Sequence, residues 1–261
     1  MIISPTASSN GHAKVEGHTS LTRAKLICLD IETGHADAKT IEEEVSRWTP
    51  PPNVKDPFKV EERRKEAADK IKEKSALLDA APIACISART DKVGVVFNGM
   101  DKKSYTVNHS KVISAGSEKK MLIDFRDWLD LIADEKTILI GFNIFGFDLP
   151  RIRAAFMRHR LKLPQVLTPR VLDDDKQPII DVMRMFLKGF TADKAGDYCM
   201  SLQEVERRLG LPEYKDKISG AEVPDLIVKG EIKKVLTYCA VDTMSTLRAY
   251  MLMSSTASDM Q

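Results

Sequence analysis

The chain has 261 residues, 43% of them hydrophobic, which suffices for one large domain or two small ones with an ordinary globular core. Lys and Arg number 40 against 38 acids, a formal net charge of +2, so any attraction to nucleic acid must come from local basic patches and not from the whole molecule. No apolar run approaches membrane-spanning length and the polar stretch 1–22 has no signal-peptide core, so the expectation is a cytoplasmic protein with a flexible tail at residues 1–22 and no membrane partner.

In chain order, Lys25–Glu32 is an apolar run of strand length that exits into acids and a Thr33-Gly34 turn. Residues 35–80 hold Pro50-Pro-Pro52 and then the heavily charged, helix-like stretch Lys59–Lys74. They read as an arm inserted between the first two strands: either a solvated helix that packs back on the domain, or a flap that helps to hold a substrate. Pro82–Ala88 and Val93–Phe97 are rich in β-branched residues, and Thr90-Asp-Lys92 between them suits a hairpin. Behind Ser117 as cap, Met121, Leu122, Phe125, Trp128, Leu129 and Ile132 recur at spacings of three and four, an amphipathic helix to Ala133. Thr137–Gly141 is a buried strand. Asp148 opens a helix to about Arg160, with Pro150 tolerated in its first turn. Then come a short strand at Ile179-Ile180, a helix over Ser201–Leu209 with Glu204 completing a capping box, and a long final helix, Glu231–Met251. A strand meander followed by alternating helices and strands predicts an α/β fold, a mixed five-stranded sheet flanked by helices. The single domain spans residues 23–255, followed by a tail at 256–261. The four cysteines, Cys28, Cys85, Cys199 and Cys239, have no Cys-x-x-Cys pair and no histidine at zinc-ligand spacing, and read as reduced core residues.

Asp30 and Glu32 are two apart on a strand, so both leave one face while Leu29 and Ile31 enter the other. Such acids repel. Hard divalent cations between them are the usual remedy, and two solvated acids at a sheet edge are the plainer explanation. Asp148 stands at a helix start, where it is either an N-cap or a ligand. Phe142, Phe145 and Phe147 crowd it, either reaching the core or offering stacking faces to bases. Tyr238 and Asp242, four apart, share one face of the final helix. Leu236, Val241 and Leu247 make that side apolar, so the acid is expected to pair with a charge or a metal. The helix after Asp148 carries five basic residues and no acid, with Arg151, Arg158 and Lys162 on one face, either a phosphate-tracking stripe or a solvated basic face. Lys215, Lys217 and Ser219 are further candidates for a phosphate contact, and Asp181 is either an accessory acid or a cap.

Taken together these residues resemble the DEDD family of 3′→5′ exonucleases on the ribonuclease H-like fold. More narrowly, the chain is similar to stand-alone exonucleases related to the proofreading domain of family B DNA polymerases. Asp30-Ile-Glu32 matches the family's Asp-x-Glu motif, Asn143 to Phe147-Asp148 its Asn-x-x-x-Phe-Asp, and Tyr238 to Asp242 its Tyr-x-x-x-Asp. The segments Leu202–Pro212 and Ile218–Val223 resemble the linker before the third motif, and the likeness runs from about Lys25 to Met251. The sister group's His-x-x-x-x-Asp would place a histidine where Thr237 stands, so the tyrosine form, DEDDy, is the one matched.

The resemblance implies that Asp30, Glu32 and Asp242 bind one divalent ion, that Asp30 also binds a second, and that Asp148 supports the second. Mg²⁺ or Mn²⁺ suits such an all-oxygen set. Two ions stabilise the attacking and leaving oxygens of an in-line displacement, and Tyr238 would orient the water. The expected reaction releases nucleoside 5′-monophosphates from the 3′ end of DNA, preferably single-stranded, with Thr33, Asn143, Phe147, Arg151 and Ser219 as substrate contacts. The same acids serve RNA trimming, so an exoribonuclease is the alternative; a non-catalytic nucleic-acid-binding subunit is the expectation only where the acids are lost. Any proofreading role calls for a polymerase or repair partner in trans.

Overall fold

The computed structural model describes residues 25–168, 178–189, 200–212 and 218–255. The strands are β1 (Leu26–Thr33), β2 (Ile83–Arg89), β3 (Gly94–Asn98), β4 (Lys111–Ser114), β5 (Ile138–Gly141) and β6 (Ile179–Asp181). They form one mixed sheet of order β4-β3-β2-β1-β5-β6. β2 is antiparallel to both β1 and β3, whereas β5 lies parallel to β1, β6 to β5 and β4 to β3. The sheet therefore has six strands where five were expected. The additional one, β4, is an edge strand of four residues, too short for its alternation to register in a periodicity count. It also pairs parallel to β3, so the antiparallel meander ends after three strands.

β1 is central, and both of its faces are covered. Ile27, Leu29 and Ile31 enter one core with Met121, Leu122, Phe125 and Leu129 of α3 (Glu118–Ile132) and Leu149, Ile152 and Phe156 of α4 (Asp148–Arg158). Phe125 meets Phe97 edge-on, ring centroids 5.5 Å apart, and removing a wholly buried ring of this kind costs on the order of 3–5 kcal/mol. On the opposite face Cys28 and Ile140 pack with α5 (Val182–Gly189), α6 (Leu202–Arg208) and the distal part of α8 (Ile232–Ser255). Cys85 and Val96 pack there with Val235, Leu236 and Cys239 of α8 and Val223 of α7 (Val223–Val228). Asp30 and Glu32 thus project beneath α8 and not past an edge, because α8 crosses β1, β2, β3 and β5. Cys28, Cys85 and Cys239 are buried and free of disulfides, as expected of reduced core residues.

Between β1 and β2 lie two helices, α1 (Ala38–Arg47) and α2 (Pro57–Glu73), capped by Asp37 and Asp56; neither has a buried residue. Their apolar residues are few and only half-buried, as at Ile41, Val45 and Val60, and Phe58 stands 88% exposed. The root of this hairpin is different in kind. Ser75 and Ala76 are buried, and the root's backbone oxygens accept from side chains of the main body.

Three local expectations are corrected. Ser201 caps α6 through Glu204 N at 3.2 Å, but the Glu204 carboxylate binds Arg207 and Arg208 and does not return to the cap. α4 ends at Arg158 and Arg160 turns to φ 52°, so Lys162 does not continue its basic face. That face does not stay solvated either. Arg158 pairs with Glu118 at 3.0 Å and donates to the carbonyl oxygens of Asp79 and Ala81. Residues 1–22 and 256–261, Cys199, Lys215 and Lys217 lie outside the described residues. Among the described residues no helix is long and apolar enough to cross a membrane.

Candidate active site

Four acids and a tyrosine, far apart in sequence, are brought together where β1 ends under α8. The β1–β2 register sets Asp30 opposite Ser87 and Glu32 opposite Cys85. Ser87 Oγ lies 2.5 Å from Thr243 Oγ1, which also bonds the carbonyls of Cys239 and Ala240, so α8 is pinned to β2 one residue from Asp242. Asp148 comes from beyond the end of β5: its Oδ1 accepts the Ile31 N–H at 3.0 Å. That bond and the helix start leave Asp148 outside the N-cap role. It is the first residue of α4, the N-cap being Phe147 without a side-chain bond, and its carboxylate is turned to β1 between the two acids of the first motif.

The loop that delivers Asp148 has a specific shape. Asn143 adopts φ 53°, a conformation asparagine tolerates, and its carbonyl accepts from Gly146 N and Phe147 N at 3.0 Å. A Cβ at Gly146 would meet Asn143 Oδ1 at 2.5 Å, so a larger residue there would have to push the Asn143 side chain aside. Asp181 Oδ1 accepts from Asn143 N at 3.1 Å as well as from Met183 N and Arg184 N, so it both caps the start of α5 and fastens this loop.

Electrostatically the cluster is unhappy on its own. Glu32 is 8% exposed, Asp148 2% and Asp242 9%; Asp30 is half-buried, yet its Oδ2 is enclosed with no hydrogen-bond partner among the described residues. Burial pushes the Asp30 carboxyl well above the usual carboxylate range, with Asp242 and Asp148 adding to the shift. Burial raises Glu32 likewise, helped by Asp30. Asp148 is also raised, first by burial, against the lowering effect of its bond from Ile31. Tyr238 is held protonated far above its ordinary value by burial and by Asp242, Glu32 and Asp30, and its phenol bonds the Asp242 side chain. An enclosed set of mutually raised carboxyls suits a divalent cation bound by oxygen.

The expected substrate contacts fall into two groups. Thr33 is 5% exposed and donates to Ala76 O at 2.8 Å. Arg151 is 7% exposed, with its guanidinium 4.0 Å above the Phe147 ring and bonds to the carbonyl oxygens of Phe147 and Leu77. Both tie the root of the helical hairpin to the site. Asn143 shapes the loop, Phe147 is half-buried beside Asp148, and Ser219 is exposed at the turn 220–222, bonded to Glu222. Gly220 of that turn lies next to the phenol, a Cβ there falling 3.6 Å from Tyr238 Oη. Phe145 and Phe147 pack on the main core and Phe142 on the second, so the aromatic cluster serves packing as well as the site. Unanticipated was Cys239, whose thiol sits within 4.8 Å of carboxylate oxygens of Asp30 and Glu32; its position three residues before Asp242 on the same helix was the available signal.

With this geometry in view, residues 81–261, more than half of the chain, match the family model described as a predicted 3′-5′ exonuclease related to the exonuclease domain of PolB. The chain belongs to that family. An exonuclease of this family acts on nucleic acid and uses divalent metal, and the acid cluster is where this chain offers one. The matched residues contain Asp148, Tyr238 and Asp242 of the exonuclease domain, whereas Asp30 and Glu32 precede them, separated by the α1–α2 hairpin. No curated protein matches the chain.

Proposed function

We propose that the chain is a 3′→5′ exonuclease of the tyrosine type within the DEDD class, hydrolysing single-stranded DNA from its 3′ end to nucleoside 5′-monophosphates. The observation that carries this reading is the convergence of Asp30, Glu32, Asp148 and Asp242 around one buried position with Tyr238 bonded to Asp242. The domain is taken to span residues 23–255, with β1 supplying the first two acids from before the matched region.

Asp30, Glu32 and Asp242 would hold one Mg²⁺ or Mn²⁺, and Asp30 with Asp148 a second. Such ions supply positive charge to the attacking and leaving oxygens of the phosphodiester and ease deprotonation of water. The chain's own groups do the positioning. Asp148 commits one oxygen to the Ile31 N–H, which fixes the carboxylate relative to β1. Burial and the neighbouring carboxylates favour the phenol form of Tyr238, which would hold the attacking water by hydrogen bonding and not serve as its base. Phe147 and the Ser219–Gly220 turn would be the contacts to the nucleic-acid strand flanking the cluster, with Asn143 setting the loop that presents Phe147; the hairpin α1–α2, rooted through Thr33 and Arg151, would act as a flap.

Matched DNA and RNA oligomers labelled at the 5′ end, incubated with Mg²⁺ or Mn²⁺, test the polarity and the sugar together. The expected result is a ladder shortening one nucleotide at a time on DNA, with RNA cut more slowly. Internal cuts, or loss of the label as a mononucleotide in the first turnover, would contradict the polarity; faster cutting of RNA would reassign the substrate.

A further inference from the structure

Beside the oxygen donors the site holds one soft donor. Cys239 follows Tyr238 on α8, is wholly buried, and donates through Sγ to the Asp30 carbonyl at 3.6 Å. Its sulfur and one carboxylate oxygen each from Asp30 and Glu32 all lie within 4.8 Å of one another. Cys85, paired with Glu32 across the strands, lies against the Cys239 thiol from below.

Two observations separate this group from an ordinary cluster of acids. Glu32 is more than nine-tenths buried, with no hydrogen bond to its carboxylate among the described residues. Oδ2 of Asp30 is enclosed without a partner among the described residues. A tetrahedral ion bound by sulfur at about 2.3 Å and oxygen at about 2.1 Å sets its donors about 3.5 Å apart, so these three atoms need to close by only about 1 Å. Magnesium has no use for the sulfur, since it takes oxygen ligands in a strict octahedron. Ions of the zinc type accept thiolate and carboxylate together.

We propose that Cys239 is a third, sulfur donor at the Asp30–Glu32 position, making it a mixed oxygen–sulfur site for thiophilic d¹⁰ cations, zinc or cadmium, that compete with the hard ion used in hydrolysis. Binding expels the thiol proton to solvent and replaces the weak S–H bond to Asp30 O with a metal–sulfur bond. The inference rests on reading Asp30 and Glu32 as metal ligands and adds the sulfur and the class of ion.

Titration of the full chain with cadmium, followed by the ultraviolet sulfur-to-cadmium charge-transfer absorption, tests it. The band should saturate at one ion per chain, vanish in Cys239→Ser and persist in Cys85→Ser. Asp30→Asn and Glu32→Gln, which keep both thiols, should each weaken cadmium binding by about tenfold or more. If Cys239→Ser fails to fold, the two carboxamide variants and Cys85→Ser decide. A band lost in Cys85→Ser, or indifferent to both carboxamides, would place the ion on the thiols alone and overturn the proposal, as would no saturable band. Stabilisation of the native chain by Mn²⁺ without any cadmium band would sink the sulfur donor while leaving the acids' role as ligands standing.

Discussion

At Asp148, charge and hydrogen bonding can be separated by substitution. Its Oδ1 accepts the Ile31 N–H at 3.0 Å, and burial holds its carboxyl well above the usual range. Asp148→Asn keeps the acceptor and removes the titrating group. A carboxyl whose folded pKa exceeds its unfolded value binds its proton more tightly in the fold. Its contribution is therefore complete below the unfolded value of about 3.9 and is lost as pH rises through the folded one. Asparagine suffers no such loss, so without metal the variant should gain on the native chain by about 1.4 kcal/mol per pH unit across that window, roughly 3–5 °C in Tm for a domain of this size. Asp148→Ala removes the charge too, but strands a buried N–H and should fall below Asp148→Asn by about 1–3 kcal/mol. Thermal unfolding in chelator between about pH 5 and pH 8 measures both differences. A gap between native and Asp148→Asn that is flat with pH, or an alanine variant as stable as asparagine, refutes the role given to this residue.

Other outcomes follow from the same geometry. Mg²⁺ or Mn²⁺ at about a hundred times Kd should stabilise the chain by about 2.7 kcal/mol, roughly 5–10 °C, and by more as pH rises, because the raised carboxyls must first lose their protons; calorimetry at several pH values reads this directly. Tyr238→Phe should lower kcat on the order of 10²-fold with little change in KM or Tm, if the phenol holds the water; steady-state kinetics on a short oligomer decide it. Arg151→Lys should cost about 1–3 kcal/mol by losing the fork that bonds Leu77 and Phe147 and the stacking on Phe147, and should speed proteolysis within residues 50–74 relative to the native chain.

Much of the fold and site was legible because it rests on short-range pattern. The two-residue spacing of Asp30 and Glu32, the helix start at Asp148 and the four-residue spacing of Tyr238 and Asp242 are each fixed by strand or helix periodicity. What stayed hidden depends on pairing across long separations. Nothing in the local sequence tells that Asp148 reaches Ile31, 117 residues away, or that Ser87 bonds Thr243, 156 residues away. The basic residues Arg151 and Arg158 look free for phosphate in one dimension, yet each donates to the hairpin root more than 70 residues earlier. β4 was missed because an edge strand of four residues has no hydrophobic repeat to read, and Cys239 because a cysteine among apolar neighbours looks the same whether or not carboxylates lie beside it.

The measurement that bears most directly on the acid cluster is the release of nucleoside 5′-monophosphate from a 3′-labelled single strand by the native chain, Asp30→Asn and Asp242→Asn, each with Mg²⁺ or Mn²⁺ and each shown to be folded. The native chain should release the labelled mononucleotide only with added metal, and both variants should fall by about 10³-fold or more, as loss of a metal ligand removes stabilisation confined to the transition state. Undiminished release by Asp30→Asn would contradict the assignment of these carboxylates as the catalytic centre.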